Sequence, residues 1–397
     1  MNALSDRINR LSESETLAMA RKSRELKAQG HDVINLSLGE PDFFTPDNVK
    51  EAAKRAIDEN YSFYTPVNGY LELRQAISRK LKRDNQLDYS PEQIVVSTGA
   101  KQSIANAVMC LVNPGEEVLV PSPFWVSYRE IIKLAEGVEV SIPAGIDNDF
   151  KITPEQLEAA ITPQCKLFMF SSPCNPTGSV YTREELGALA AVFARHPQVY
   201  ILADEIYEHI NFSGQHESIA RFPEVRDRVI LINGVSKGFA MTGWRLGYMA
   251  ASPEIAKACN KLQGQITSGT CSIAQMAGVE AMNTDPKETH AMLQKFRERR
   301  DLVLSLMKEI PGIRTNEPQG AFYVFANVRS FFGKSDGTQR INNAGDLCMY
   351  LLNKVHVAMV PGDAFGDGDC IRLSYATSDD LLVEAIRRIS KALQELE

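Results

Sequence analysis

The sequence lacks several features that define common protein classes. No apolar run approaches the roughly 18 residues of a membrane-spanning helix. The N-terminal stretch MNALSDRINRLSESE is charged and has no apolar core of the kind found in secretory signals. Acidic residues outnumber basic ones by 50 to 43, and the net charge of −7 argues against binding to a phosphate backbone. We therefore expect neither a membrane nor a nucleic acid as a partner.

Cysteine and histidine patterns typical of disulfide frameworks and zinc sites are also missing. The seven cysteines are odd in number and show no C-x-x-C spacing, and the six histidines form no H-E-x-x-H pattern. Free thiols of this kind are typical of a reducing cytoplasm. Asp204, Glu208 and His209 are metal-ligand types that lie close in sequence, but their spacing alone is weak evidence. We expect a cytoplasmic protein and no metal.

The sequence does contain enough apolar residues for a large core. Of its 397 residues 44% are hydrophobic, which suggests two or three domains. Short apolar strands alternate with helices after residue 93, a rhythm typical of a mainly parallel sheet covered on both faces. The strands are predicted at residues 94–97, 118–120, 167–170, 200–202, 229–232 and 246–249.

The pattern changes to α+β near residue 285. The spacing predicts a charged helix over 287–310, a strand at 322–325, a polar excursion over 329–343 and a strand-like run at 355–360. Elsewhere we predict helices at 13–29, 71–81 and 183–194 and strands at 33–36 and 371–374. Three further helices are predicted by one bound only: one begins at Pro46, one ends at Asn353, and one closes the chain. The predicted domains are therefore 46–285, a larger α/β unit, and 1–45 plus 286–397, an N-terminal arm with a smaller α+β unit.

The stretch VILINGVSKGFAMTGWRLGY, residues 229–248, is central to the functional interpretation. A buried strand ends in a short turn with Ser236 and Lys237, and the chain returns through Arg245 into a second apolar run. Open α/β sheets bind ligands at the carboxyl ends of their strands. A desolvated lysine there can act as a nucleophile that forms a Schiff base. A solvated turn lysine is the alternative, and these residues alone favour it.

The turn at residues 99–102, where another predicted strand ends and a helix begins, could bind an anion. Gly99, Ala100, Lys101 and Gln102 join a strand to a helix start, where backbone N–H groups and the helix dipole attract negative charge. An ordinary strand-to-helix turn would have the same sequence. The G-x-G-x-x-G fingerprint of dinucleotide sites and the G-x-x-x-x-G-K-[ST] loop of ATPases are both absent.

Polar or aromatic residues follow the other predicted strands. Asp204 could pair with a ring nitrogen, and Tyr207 could reach a neighbouring oxygen. Asn175 lies between two prolines and has a nearly fixed backbone, although such sequences are also common in surface turns. Trp125 could stack on a flat ligand or fill the core. Arg372 in CIRLSYA needs a partner, which could be a protein acid or a substrate carboxylate.

Together these segments resemble the class I pyridoxal-phosphate aminotransferases, of the aspartate aminotransferase type found in bacteria. The matching elements follow the family's order over nearly the full length: LSLGEPDF, YTPVNGYLELRQAI, TGAKQ, PSPFWVSY, SSPCNPTG, ADEIYEH, SKGFAMTGWRLGY, QGAFYVF and IRLSYA. The resemblance implies the type I fold of pyridoxal-phosphate-dependent transferases, in which residues 46–285 would form the cofactor-binding domain. It also disfavours the solvated-turn interpretation of Lys237.

The resemblance implies a role for each candidate residue at the cofactor. Lys237 would hold pyridoxal 5'-phosphate as a Schiff base and move the substrate's proton as acid and base. Asp204 would keep the ring nitrogen cationic so that the ring acts as an electron sink. The remaining cofactor contacts would come from Asn175 and Tyr207 at the phenolic oxygen, Trp125 on the ring face, and Ser236, Arg245 and the backbone amides of Ala100 and Lys101 at the phosphate. Gly99 would also belong to the cofactor-binding residues. Tyr64 would reach the phosphate of a neighbouring subunit, which implies a homodimer with shared sites.

The resemblance also implies a substrate class. Arg372, with Gly39 and Asn175, would clamp the α-carboxylate, beside the stacking Trp125. Lys101, Ser14 and Thr16 match residues that meet the distal carboxylate of aspartate. We therefore expect aminotransfer between aspartate or glutamate and their 2-oxo acids. The excursion at 329–343 could border the site entrance and alter specificity.

Other functions remain open at this point. Some relatives with these features accept prephenate or aromatic amino acids, and an alanine donor is a further alternative. A lyase or amino-acid synthase could use the same cofactor and fold without needing a 2-oxo acid. A non-enzymatic regulator is disfavoured because Lys237, Asp204 and Arg372 are all present.

Overall fold

The computed structural model describes residues 4–285 and 289–397. Its helices are α1 (Asp6–Asn9), α2 (Glu15–Ala28), α3 (Asp47–Asp58), α4 (Leu71–Asn85), α5 (Ala100–Leu111), α6 (Ser127–Leu134), α7 (Pro154–Ala160), α8 (Arg183–Arg195), α9 (Pro253–Ile266), α10 (Ser272–Asn283), α11 (His290–Lys308), α12 (Ala344–Val355) and α13 (Asp379–Gln394). Its strands are β1 (Ile34–Asn35), β2 (Ile94–Ser97), β3 (Glu117–Ser122), β4 (Val138–Pro143), β5 (Cys165–Ser171), β6 (Tyr200–Asp204), β7 (Val229–Gly234), β8 (Gly247–Ala250), β9 (Tyr323–Asn327), β10 (Val357–Ala358), β11 (Val360–Pro361) and β12 (Cys370–Ser374).

A seven-stranded sheet forms the centre of the larger part of the molecule. Its strand order is β2-β8-β7-β6-β5-β3-β4. The neighbours from β7 to β4 pair in parallel, whereas β8 runs antiparallel to both β2 and β7. The prediction of a mainly parallel sheet is therefore confirmed. Because β2 runs in the same direction as β7, the carboxyl ends of β2, β3, β5, β6 and β7 lie at one edge.

Both faces of this sheet are buried. Successive side chains of a strand point to opposite faces, and β7 illustrates the result. Val229 and Leu231 belong to a core shared with α4, α8 and α10, whereas Ile230 and Ile232 belong to a second core shared with α5, α6 and α9. This double burial explains why the central strands are continuous apolar runs.

The C-terminal part has a sheet and a core of its own. Strands β11, β12 and β9 form an antiparallel sheet, and β1 pairs in parallel with β10. Helices α11, α12 and α13 cover these strands, and their apolar residues form one cluster that also includes Met19 and Ile34 from the N-terminal arm. The arm and the C-terminal part are therefore packed together.

Most predicted elements are present within a few residues of their expected bounds. The edge strand β4 was not predicted, because its side chains are largely exposed and it lacks an apolar run. The run at 355–360 is two short strands in different sheets. Lys287, the expected start of the charged helix, lies outside the described residues. Among the described residues, no helix is long and apolar enough to cross a membrane.

The polar excursion at 329–343 packs against the end of the chain. Ser335 and Glu397 exchange two backbone hydrogen bonds of 3.0 Å. Asp336 binds Lys354 of α12 at 2.6 Å, and the same ammonium group binds Glu395 at 2.7 Å. The excursion therefore fixes the C-terminal end of α13 to α12.

Candidate active site

A cavity of about 350 Å³ opens at the shared carboxyl edge of the seven-stranded sheet. Each neighbouring strand delivers a side chain to it, because the chain leaves the sheet there in a turn. Ala100 follows β2, Trp125 follows β3, Asn175 follows β5, Asp204 ends β6 and Lys237 follows β7. The arm and the C-terminal part close the cavity with Ser14, Thr16, Gly39, Tyr323 and Arg372.

Lys237 places a buried amine in this cavity. Its Nζ donates one hydrogen bond of 2.5 Å to the backbone oxygen of Gly39. Burial lowers the pKa of Lys237 to about 8; Glu40 opposes this shift, whereas Arg372 and Arg245 add to it. An amine with this pKa is partly unprotonated near neutral pH and can attack a carbonyl carbon.

Asp204 and Tyr128 form a buried pair at the same edge. The Tyr128 hydroxyl donates to Asp204 Oδ2 at 2.9 Å, and the Ile206 backbone N–H donates to Oδ1 at 3.3 Å. Burial raises the pKa of Asp204 to about 6, although both hydrogen bonds lower it. The carboxylate is therefore ionised above that pH and can pair with a cationic ring nitrogen.

Arg372 supplies a guanidinium with unused hydrogen-bonding capacity. Its Nη1 donates to Asn175 Oδ1 at 2.9 Å and its Nη2 to the backbone oxygen of Ser37 at 2.6 Å. Nε is buried and has no partner among the described residues. The planar group lies over Tyr323 and Phe365, with centroid distances of 4.6 and 4.8 Å. No carboxylate of the described residues pairs with Arg372, which leaves it available for a ligand.

The start of α5 and the turn after β7 provide the groups that suit a phosphate. Helix α5 begins at the cavity, which Ala100 and Lys101 of its first turn line. The first N–H groups of a helix have no partner within the helix and suit an anion. Ser236 and Arg245 line the same cavity. Gly99 is not among the lining residues. Its positive φ of 82° brings its backbone against Arg245, and a Cβ there would overlap the guanidinium.

Lys101 is a second cation without an acidic partner. Its Nζ lies 4.9 Å from the centre of the Trp125 ring, and no ion pair of Lys101 occurs in the described part of the chain. Burial lowers the pKa of Lys101, and the charge of Arg245 lowers it further. A ligand anion would relieve both effects.

The structure brings together all but two of the predicted site residues. Gly99 lies behind Arg245, and Tyr64 lies outside the cavity with its side chain fully exposed. Asp204, Glu208 and His209 do not form one cluster, because Glu208 and His209 point away from the cavity. No residue of the excursion at 329–343 lines the cavity, and its contacts include α12 and the end of the chain.

Two tyrosines of the site were not predicted. Tyr128 binds Asp204, and the Tyr323 hydroxyl lies 2.7 Å from that of Tyr207. Both belong to segments that matched the family, but Tyr323 lies in the apolar run FYVF and Tyr128 between Ser127 and Arg129, and neither setting indicates a functional tyrosine. The available signal was that a buried tyrosine hydroxyl needs a hydrogen-bond partner.

A sequence model of the family described as Aminotransferase class I and II matches residues 31–389. The chain belongs to this family. It is 48% identical over 396 residues to the bifunctional aspartate aminotransferase and glutamate/aspartate-prephenate aminotransferase of Petunia hybrida, covering 98% of this chain and 83% of that protein. It is also 48% identical to the aspartate/prephenate aminotransferase of Cereibacter sphaeroides, with 98% of both chains covered.

Solved structures agree with this assignment. The aspartate aminotransferase of Rhizobium meliloti superposes with a TM-score of 0.97 at 41% identity, over the full length of both chains. The Thermus thermophilus aspartate aminotransferase with maleate gives a TM-score of 0.92 at 38% identity, covering 99% of this chain and 100% of that one. The predicted type I transferase fold is confirmed.

The aminotransferase uses pyridoxal 5'-phosphate, as predicted from the sequence. The residues present fit this group: a buried amine, a buried carboxylate, an anion-binding helix start and an unpartnered Arg372 Nε line one cavity. When bound, the cofactor supplies an aldehyde for the substrate amine and an electron sink for the bond that breaks at Cα.

Proposed function

We propose that this aminotransferase transfers amino groups reversibly between L-aspartate and 2-oxoglutarate. The observation that carries the proposal is the pair of cations without acidic partners, Arg372 and Lys101, in the cavity of Lys237. A dicarboxylic amino acid offers one carboxylate to each of them. The names of the relatives above include aspartate and glutamate, which supports a dicarboxylic amino acid as the amino donor.

The proposed roles at the cofactor follow from the chemistry of each group. Lys237 joins the aldehyde and moves the proton at the substrate's Cα. Asp204 keeps the ring nitrogen protonated, and Tyr128 holds Asp204 in place. The other contacts come from Asn175 and Tyr207 at the phenolic oxygen, Trp125 on the ring face, and the backbone N–H groups of Ala100 and Lys101 with Ser236 and Arg245 at the phosphate. Gly99 has an indirect role, because it lets the Arg245 guanidinium lie against the backbone.

The proposed substrate clamp has two ends. Arg372, Asn175 and Gly39 orient the α-carboxylate, so that the bond to the departing proton stands across the ring. Lys101, Ser14 and Thr16 receive the distal carboxylate. Prephenate also carries a second carboxylate, and the relatives' names make it a second acceptor to test.

A donor and acceptor panel tests this proposal. Purified enzyme with aspartate and 2-oxoglutarate should form oxaloacetate and glutamate, and prephenate should replace 2-oxoglutarate as acceptor. Lys101→Ala should raise the KM for aspartate far more than that for alanine. Lys166→Ala is a matched control, since its ammonium lies 5.1 Å from the Tyr200 ring and away from the cavity.

Two outcomes would contradict the proposal. Equal effects of Lys101→Ala on aspartate and alanine would remove this residue from distal-carboxylate recognition. Release of product without any 2-oxo acid would instead indicate a lyase.

We also propose a homodimer with shared active sites. Phe44, Phe63 and Tyr64 are large side chains that lie exposed on the described surface, a feature typical of protein interfaces. Sedimentation should give about twice the chain mass of 44.1 kDa. The Lys237→Ala and Tyr64→Ala variants can be mixed to form a mixed dimer. One of its two sites then has Lys237 from the Tyr64→Ala chain and Tyr64 from the Lys237→Ala chain, and this intact site should bind the cofactor tightly. No recovery of tight binding on mixing would place Tyr64 outside the partner's site.

We also propose that the chain forms two domains and is located in the cytoplasm. Separate hydrophobic cores support a large cofactor-binding domain at 46–285 and a small domain formed by 1–45 plus 286–397. All seven cysteines lie in described residues and are free thiols, which suits a reducing cytoplasm.

A further inference from the structure

A buried group of charged side chains lies behind the active site, on the side of residues 204–209 that faces away from the cavity. We call it the rear network, and it consists of Lys80, Asn85, Glu205, Glu208, His209, His216 and Ser218. Apart from His209, which is 13% exposed, every charged side chain in it is at most 7% exposed. None of these residues lines the cavity.

One half of the rear network joins α4 to the end of β6. Lys80 forms an ion pair with Glu208 and donates to Asn85 Oδ1 at 2.7 Å. Asn85 donates in turn to the other Glu208 oxygen at 2.7 Å. His209 Nε2 lies 3.2 Å from Glu208 Oε1. Burial alone would raise the pKa of Glu208, but Lys80, His209 and His216 together outweigh burial and the pKa is strongly lowered.

The other half centres on Glu205. His216 Nε2 lies 2.9 Å from Glu205 Oε2, and the Ser218 hydroxyl donates to Oε1 at 2.5 Å. Although burial lowers the pKa of His216, the Glu205 carboxylate outweighs burial and the pKa is raised. Each carboxylate of the network thus has a basic side chain in contact with it, Lys80 at Glu208 and His216 at Glu205.

Each half of the rear network lies next to a residue of the cavity: Glu205 follows Asp204 in the chain, and His209 packs against the turn after Lys237. Glu205 is bonded directly to Asp204, and its negative charge is one cause of the raised pKa of Asp204, after burial. His209 packs on the turn that follows Lys237. A Cβ on Gly238 would lie 2.6 Å from His209 Cδ2, and the Phe239 ring centre is 5.5 Å from that of His209.

We propose that the rear network is a positioning assembly for Asp204 and Lys237, in which His216 supplies the positive charge that balances Glu205. The inference rests on the proposed roles of those two residues. Without His216, the uncompensated charge of Glu205 would act directly on Asp204 and its ring-nitrogen partner. Without Glu208, the His209 side chain would lose the contact that holds it against Gly238.

Other titratable groups around the network do not replace this balance. Burial raises the pKa of Tyr89 to about 12 and that of Tyr248 well above its usual value, so both remain neutral. Further charged groups whose fields reach the network or these tyrosines are Arg83, Asp84, Arg226 and Asp227. Among the described residues, His216 is therefore the basic side chain in direct contact with the Glu205 carboxylate.

The test is the pH titration of the visible absorbance of the holoenzyme. Removing a positive charge raises the proton affinity of nearby groups, and removing a negative charge lowers it. His216→Gln should therefore move the titration midpoint upward, and Glu205→Gln should move it downward, each by about half a pH unit or more. His196→Gln and Glu158→Gln are matched controls, because this pair makes the same contact at 2.7 Å on the surface. They should leave the midpoint unchanged.

The signs of the two shifts decide the outcome. A purely structural role would lower the melting temperature of both variants without moving their midpoints in opposite directions, and that result would overturn the proposal. Ser218→Ala provides a second check, since it removes a hydrogen bond to Glu205 without changing charge and should leave the midpoint within about 0.2 unit. If Lys237→Ala left the absorbance of the enzyme unaltered, the proposed function would fail as well.

Discussion

The two sides of residues 204–209 carry similar side chains and differ in how those side chains are paired. Towards the cavity lie Asp204 and Tyr207, in a site where Lys237 has one carbonyl partner and Arg372 Nε has none among the described residues. On the opposite side, the carboxylates of Glu205 and Glu208 each contact a basic side chain, His216 and Lys80. Burial of charge is common to both sides. Lys237 and Arg372, two basic side chains that form no ion pair with a carboxylate of the described residues, distinguish the ligand site from the structural network.

The largest expected effect compares the lysines of the two sides. Lys237→Ala should lower turnover by at least about 10³-fold, because the proton at Cα loses its acid and base. The unfolding free energy of the cofactor-free protein should not fall, since a poorly solvated amine is removed. Lys80→Met should instead lower that free energy by about 3–5 kcal/mol, because Glu208 keeps a buried charge without its partner. Steady-state assays and urea unfolding measure both quantities.

Either of two results would break this comparison. The first is a Lys237→Ala variant that retains turnover. The second is a Lys80→Met variant that unfolds at the same urea concentration as the unsubstituted protein.

Arg372→Lys tests whether the free guanidinium recognises the substrate. Lysine keeps the positive charge but cannot form the two-point contact with a carboxylate. The KM for aspartate should rise about 100-fold, which corresponds to about 2.7 kcal/mol. Arg329→Lys, at an exposed pair with Asp369, should have no effect on this KM. An unchanged KM in Arg372→Lys would mean that charge alone suffices at this position.

Tyr128→Phe should have a smaller effect on the same cavity. The variant loses one hydrogen bond to a buried carboxylate, which predicts about a 10-fold lower turnover. Because Tyr128 lowers the pKa of Asp204, its loss should raise that pKa, and the acid limb of the pH–rate profile should move upward from about 6. Tyr181→Phe is a matched control, as its buried hydroxyl accepts a hydrogen bond from the Ile152 N–H at 3.0 Å. A downward shift of the acid limb in Tyr128→Phe would contradict the assignment of the Tyr128 hydroxyl as a hydrogen-bond donor to Asp204.

The smallest expected effect is on the pH dependence of cofactor capture by Lys237. The cofactor-free enzyme should capture pyridoxal phosphate faster as the pH rises through about 8, because the amine then loses its proton. Since Arg372 lowers the pKa of Lys237, Arg372→Met should move this midpoint upward, whereas Arg372→Lys should move it less. Stopped-flow absorbance measures the capture rate. A midpoint that stays near 8 in Arg372→Met would remove Arg372 from the electrostatics of Lys237.

The sequence predicted the cavity side far better than the opposite side. Lys237, Asp204 and Arg372 each follow or interrupt an apolar strand, where a charged residue needs an explanation, and the family resemblance then supplied one. The rear network gave no comparable signal, because Lys80 lies in a charged helix and His216 in a polar loop. Only the fold brings these residues together, across 128 positions between Lys80 and Glu208.

The same reasoning explains the other differences. The exposed edge strand β4 lacks the double burial that makes the central strands recognisable. The excursion at 329–343 looked like an insertion near the site because a polar segment carries no information about which surface it covers. Its contacts with Glu397 and Lys354 depend on the position of α13, which local sequence does not encode.

The pairing of β1 with β10 has a mechanical consequence. This pairing binds the segment after α2 to the C-terminal part. Just before α2, the backbone N–H of Ser12 instead donates a hydrogen bond of 2.8 Å to Glu130 Oε2 of α6, in the larger part. A movement of the C-terminal part relative to the large sheet would therefore change the course of the chain between Ser12 and Glu15. Ser14 lies in this link and Thr16 just beyond it, and both line the cavity. The end of the cavity that we propose for the distal carboxylate would then change shape with any such movement.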